Sequence, residues 1–223
     1  MDIDYLNLTY RSLPLLVQGA WMTLQVLLAA SSISLCLGVF LGVFTCCRLR
    51  SKFIAPCIEA VTFILRAVPF YVQLLIVYFV LPDLLNINME AFTASIIALG
   101  VCSSAYTAQV VRCGINSVPI EQWESASTLG YSTQACVRYI IFPQMLRNVL
   151  PAITNELEAL LKSTAILSSI GLLELTRMGM NIVSREMEPL AIYLTIAAFY
   201  VMISAGINIV SKCIEKRFRH VNS

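Results

Sequence analysis

Glu121-Gln-Trp-Glu-Ser-Ala-Ser-Thr-Leu-Gly-Tyr-Ser-Thr-Gln-Ala-Cys-Val-Arg-Tyr-Ile-Ile-Phe-Pro143 is a polar stretch inside a chain that is otherwise largely suited to lipid. Of the 223 residues, 58% are hydrophobic and 13% charged, against about 25% charged in soluble domains. The mean hydropathy is +0.79. Long runs without Asp, Glu, Lys or Arg lie on both sides of the stretch: Ser12 to Cys47, Ala91 to Val111 and Pro189 to Ser211. A helix needs about 20 apolar residues to cross the hydrocarbon, and each run reaches that length. The chain is therefore expected to be an all-α integral membrane protein, not a soluble domain with a large core. Asp2 and Asp4 at the start, with no basic region, do not suggest a cleaved signal peptide.

Working outward, one transmembrane domain over residues 1–223 is expected, with spans at about 17–47, 54–81, 91–114, 151–173 and 190–211. In the first span Ser34, Gly38 and Gly42 fall four apart, a small-residue stripe that permits close helix packing. In the second, Pro69 should kink or break the helix. Arg66 either snorkels to the basic side or points into a bundle interior. In the third, Tyr106, Gln109 and Arg112 recur at about one turn and share a face, which should meet other helices or water. The fourth carries Asn155, Glu156, Glu158 and Lys162. Glu158 and Lys162 are in the favourable order for a helical pair. The segment reads as a membrane helix with a polar inner half, the alternative being an interfacial helix. Glu174 to Glu188 reads as a polar link holding a short external helix.

Charge placement orients these spans. With the N-terminus outside, the inner segments hold Arg48, Arg50, Lys52, Arg112, Arg138, Arg147, Lys212, Lys216, Arg217 and Arg219, whereas the outer ones hold Arg11, Arg177 and Arg185. Dropping the fourth span would put the basic tail on the side of the acidic Asp83 and Glu90 loop and worsen the bias. The expected topology has five spans, the N-terminus outside and the C-terminus in the cytoplasm. Residues 117–147 then form a cytoplasmic loop.

Within that loop Ser117 can cap a helix with Pro119 in its first turn. Glu121 and Glu124 suit its positive end, and Gly130 suits the left-handed residue that ends it. Ser132 or Thr133 can cap a second helix, expected to stop before Pro143. The pair is either a connector packed on its own spans or a functional element, the more frequent meaning of a connector this long.

Glu124-Ser-Ala126, three residues, Gly130, nine residues, Ile140, one residue and Phe142-Pro143 resembles the EAA loop of ABC-transporter permeases, with Ser125 for Ala and Phe142 for Leu. The resemblance covers nearly the whole chain and points to the polar amino acid permeases. Gly19 and Thr23 match their first helix. Arg66-Ala-Val-Pro69 with Val72-Gln-Leu74 resembles their Arg-Gly-Thr-Pro segment. Ala105-Tyr-Thr-Ala-Gln109 resembles Ala-Tyr-x-Ala-Glu, with Gln for Glu. Asn155 and Leu160-Leu-Lys-Ser-Thr164 resemble Asn and Leu-Leu-Lys-Asp-Thr, and Ile170-Gly171 and Glu174-Leu175 also fit.

The resemblance implies the five-helix type-I importer core and a permease subunit of an ATP-driven importer of polar amino acids in a bacterial inner membrane. Its implied partners are a second permease subunit, an ATP-binding subunit carrying ATP and magnesium, an extracytoplasmic solute-binding protein and the lipid bilayer, with no nucleic acid. The loop would dock on the ATPase through Glu121, Trp123, Glu124, Ala126, Gly130, Ile140 and Pro143. Trp123 either fills a groove in the partner or packs back on its own helices.

Substrate-path candidates are Tyr106, Gln109, Asn155, Glu156, Glu158 and Lys162, because polar groups within spans are functional candidates. Together they offer acceptors for an ammonium and donors for a carboxylate. Glu158 and Lys162 either touch substrate or only pair with each other. Gln109 lacks the charge that would favour a cationic amino acid. The chain has no Gly-x-x-x-x-Gly-Lys-[Ser/Thr] loop, no cofactor of its own is expected, and no enzyme constellation is visible. Its eight cysteines lack metal spacing, and its only histidine is His220 in the basic tail, so a metal site or disulfide framework is not expected. The rival reading is a self-sufficient secondary transporter or channel for small polar solutes.

Overall fold

The computed structural model describes residues 2–47, 49 and 52–219. Arg48, Arg50 and His220, which entered the charge argument and the metal argument above, lie outside the described residues. Among the described residues there is no strand. In chain order the helices are α1 (Asp2–Thr45), α2 (Ile54–Ala67), α3 (Phe70–Leu75), α4 (Leu81–Leu85), α5 (Ala91–Asn116), α6 (Ile120–Thr128), α7 (Thr133–Cys136), α8 (Phe142–Thr164), α9 (Leu175–Glu186) and α10 (Pro189–Arg219). A π turn (Ile76–Val80) joins α3 to α4, a second (Val137–Ile141) joins α7 to α8, and a 3-10 segment (Ala165–Ile170) follows α8.

Among the described residues, three helices are long and apolar enough to cross a membrane, or up to five spans if each of two bent helix pairs counts as one. The first bent pair is broken between Ala67 and Phe70. Its cause is local. Pro69 has no N–H to donate and disfavours helical geometry in the residue before it, and Val68 is extended at φ −82° and ψ 131°. Pro69 then starts α3, so the expected disruption is a full break. α10 shows what lipid demands: Leu194, Val201 and Met202 are all more than half exposed, a surface tolerable only against lipid or another protein.

The chain divides into two compact units. The first comprises Met1–Ser32, Pro69–Gly100 and Leu157–Ile207. One of its apolar clusters centres on Val26, Leu74, Leu99, Leu161 and Leu167. The other packs Leu16 and Ala20 of α1 with Leu175 and Ile182 of α9 and Ile192 and Ile196 of α10. Here α9 is anchored at its start. The buried Glu174 carboxylate accepts from the Thr176 and Arg177 amides at 2.8 and 2.7 Å, an N-cap that satisfies two donors without helical partners. Tyr200 Oη of α10 donates to the same carboxylate at 3.4 Å, and Thr23 Oγ1 of α1 accepts from the Leu175 amide at 3.1 Å.

The second unit comprises Ile33–Val68, Val101–Glu156 and Asn208–Ser223. Its apolar cluster gathers Cys46, Val111, Ile115, Ala126, Cys136, Ile141, Met145 and Val149. The Ser34, Gly38, Gly42 stripe of α1 lies against α5. Ser34 Oγ is 2.9 Å from both Ser103 Oγ and Thr107 Oγ1. A Cβ on Gly42 would stand 2.7 Å from the Ala108 carbonyl oxygen, so only glycine allows this approach.

Candidate functional site

The second unit holds the polar stretch. α6 begins at Ile120 with Pro119 as its N-cap, and no side chain caps it. The expected cap, Ser117, is used elsewhere: its hydroxyl donates to the Gly114 carbonyl at 2.8 Å and accepts from Asn148 Nδ2 at 2.9 Å. At the other end of α6 the Gly130 amide donates to the Ser127 carbonyl and the Tyr131 amide to the Ala126 carbonyl, each at 3.0 Å. This is a Schellman closure, which places a left-handed residue just past the helix. Gly130 occupies that place at φ +82°. Ser132 Oγ then caps α7 by accepting from the Ala135 amide at 3.3 Å.

The second helix does not stop before Pro143. The chain passes from α7 through the π turn straight into α8, with Pro143 in its first turn. The Phe142 amide donates to the Val137 carbonyl, five residues back. That wider turn lets the coil accommodate a proline at the next residue. The same arrangement precedes Pro82, where the Leu81 amide donates to the Ile76 carbonyl. From Thr133 onward the polar stretch is thus helically continuous with α8. Gln144 Nε2 donates to Gln122 Oε1 at 3.5 Å and to the Ile140 carbonyl at 3.0 Å, tying α8 back to α6.

The predicted residues of this stretch separate by exposure. Glu121, Glu124 and Gly130 are exposed. Ala126 is fully buried in the unit's core, where it packs α6 against the apolar cluster. Ile140 and Trp123 are half-buried against the same cluster, which is the packing-back arrangement for Trp123. Pro143 is half-buried within the helical run. The apolar side chains that stand out are Leu129 at 75%, Tyr139 at 65% and Tyr131 at 46% exposure. Leu129 and Tyr131 flank the glycine turn. Their hydrophobicity was visible in the sequence, but their exposure was not.

Of the substrate-path candidates, Tyr106 lies with Arg112 on a face of α5 that meets α2, and Gln109 is half-buried on the same helix. Tyr106 Oη donates to the Arg66 carbonyl at 3.4 Å, and Arg112 Nη1 lies 3.0 Å from Glu59 Oε1. Arg66 is half-buried and turns its Nε onto the Thr62 carbonyl of its own helix at 3.2 Å. On α8, Asn155 is exposed and Glu156 half-buried. Glu158 and Lys162 belong to the first unit, where they form an open pair at 3.9 Å with Lys162 74% exposed. The Glu59–Arg112 pair was not anticipated, although Glu59, Thr62 and Arg66 fall on one helical face in the sequence. Among the described residues, no three His, Cys, Asp or Glu side chains come together as a metal site.

A family model for the binding-protein-dependent transport system inner membrane component matches residues 34–220. The arginine transport system permease protein ArtQ of Bacillus subtilis (strain 168) is 29% identical over 222 residues, covering 98% of this chain and 99% of that protein. The glutamine transport system permease protein GlnP of Escherichia coli (strain K12) is 30% identical over 221 residues, with the same coverage. Among solved structures, a chain of an amino acid ABC transporter crystallised with histidines superposes with a TM-score of 0.84 at 33% identity, covering 93% of this chain and 96% of its own. A chain of the inward-facing methionine ABC transporter MetNI has a TM-score of 0.80 at 20% identity, covering 92% and 96%, which is a likeness of fold.

Proposed function

We infer the function from one premise: the chain belongs to the family of binding-protein-dependent transport system inner membrane components. It is the permease subunit of an ATP-driven importer and carries polar amino acids. The observation that supports this most is the helical connector of the second unit, with its hydrogen-bonded turn. α7 runs without a break into α8, α6 is joined to it by the glycine turn, and the pair exposes Glu121, Glu124, Leu129 and Tyr131. A short helical pair fused to a long helix can transmit displacement as one body, where a flexible loop would absorb it.

In this reading an ATP-binding subunit on a separate chain holds ATP and magnesium and receives the connector. A second permease subunit, identical or related, completes the path, and an extracytoplasmic binding protein delivers the substrate. The N-terminus lies outside and the C-terminus in the cytoplasm, which puts the connector on the ATPase side. Tyr106, Gln109, Asn155, Glu156, Glu158 and Lys162 are the proposed contacts along the path, and the neutral Gln109 amide removes a bias toward cationic cargo. The arginine and glutamine named in the relatives are the first substrates to try. Reconstituting the full complex in vesicles and measuring labelled glutamine and arginine uptake with and without ATP tests the proposal. Uptake that ignores ATP contradicts it.

A further inference from the structure

Arg112 stands one turn before the end of α5, eight residues ahead of Ile120 where α6 begins. This root of the connector is held in the second unit from three sides. Gly42 of α1 lies against Ala108 and Val111, and Gly114 lies against Val149 and Met145 of α8. Those contacts are packing contacts at van der Waals distance, with little freedom to slide. The third side differs. α2 runs antiparallel to α5 and is joined to it by two polar links, the Tyr106 hydroxyl on the Arg66 carbonyl and the Arg112 guanidinium on Glu59. The second link is an ion pair at 3.0 Å whose side chains are 30% and 29% exposed. Two long charged side chains can stay paired through small shifts of their helices, which a glycine contact cannot.

We propose that the Glu59–Arg112 pair is a positioning link that carries movement of the connector into α2. It rests on the functional reading above, since movement of the connector has meaning only if an ATPase drives it. Neither residue needs to touch substrate. Glu59→Gln keeps the size and polarity of its side chain and removes the charge; Arg112→Gln removes the charge and leaves a polar amide on a shorter side chain.

Two measurements test the link. In the purified permease, hydrogen exchange of the amides of residues 54–67 reports whether α2 is held. In the complete complex in vesicles, ATP hydrolysed per labelled glutamine or arginine imported reports coupling. Each single variant is expected to speed exchange in α2 and to raise the ATP cost per import by at least about fivefold, the lower end of typical coupling between sites. The double variant is expected to be no worse than the poorer single one, because partners in one interaction do not lose it twice. Additive losses, or a wild-type ATP cost in both single variants, overturn the link. So does a defect confined to yield of folded complex, which marks a purely structural pair. A wild-type complex that imports neither amino acid with ATP refutes the functional reading, while the exchange result still decides whether the pair holds α2.

Discussion

Replacing Gly130 tests the connector with a perturbation whose cost can be derived. A Cβ built on this residue meets nothing within 4 Å, so Gly130→Ala creates no clash. What remains is the backbone. At φ +82° an L side chain crowds its own carbonyl, which costs about 1–2 kcal/mol, or roughly a 5- to 30-fold shift between the formed and the opened turn. Gly130→Asn should cost less, because asparagine visits the left-handed region. Gly130→Val should cost more, since a β-branched residue there is an outlier. The assay has two readings: ATP-driven amino acid uptake per assembled complex, and exchange of the Gly130 and Tyr131 amides that close the turn. Both should rank glycine, asparagine, alanine, valine, from most native to least. Equal behaviour of alanine and asparagine, or undiminished protection in the valine variant, refutes the argument that the backbone of this one residue sets the connector's geometry.

Three further outcomes follow from the same contacts. Glu124→Lys reverses an exposed charge on α6 and should abolish ATP-coupled uptake while membrane insertion, followed by fractionation, is unchanged; full uptake counts against the coupling role. Gly42→Val pushes side-chain atoms into the α5 backbone at Ala108 and should destabilise by about 1–3 kcal/mol, seen as a lower midpoint of thermal aggregation in detergent; an unchanged midpoint means α1 and α5 do not pack this closely. Glu174→Ala removes the cap of α9 at a cost of about 0.5–2 kcal/mol and should speed exchange at the Thr176 and Arg177 amides, whereas Glu174→Gln, which keeps an acceptor oxygen, should protect them in part.

Much of this fold was legible because a bilayer leaves few options. Uncharged runs of sufficient length are helices: α5 and α10 contain two of the three that the sequence displays, and α1 covers the third up to Thr45. Gly130 was legible because the left-handed residue past a helix favours glycine, and Ser132 because a short polar side chain caps readily. The missed features depend on structure that neighbouring residues do not announce: a distant partner, an irregular turn or the buried side of a helix. Ser117 leaves the cap position unfilled because its hydroxyl bridges Gly114 and Asn148. Pro143 does not end a helix because the π turn ahead of it widens the coil, and nothing in the local sequence signals that turn. Ala126 carried the motif spacing, but spacing alone does not say which face of α6 is buried, and the core took it. Glu59 and Arg112 lie 53 residues apart; the sequence put Arg112 on an inner, polar helix face but did not show that Glu59 faces it.

The central claim is that this chain moves amino acids only when an ATPase on another chain drives the connector. Uptake of labelled glutamine and arginine into vesicles tests it most directly, with the chain reconstituted alone or with the ATP-binding subunit, a second permease subunit and the binding protein. Accumulation should require the full set and hydrolysable ATP, and should be absent for the chain alone under any ion gradient. Gradient-driven accumulation by the chain alone contradicts the account and points to a secondary transporter.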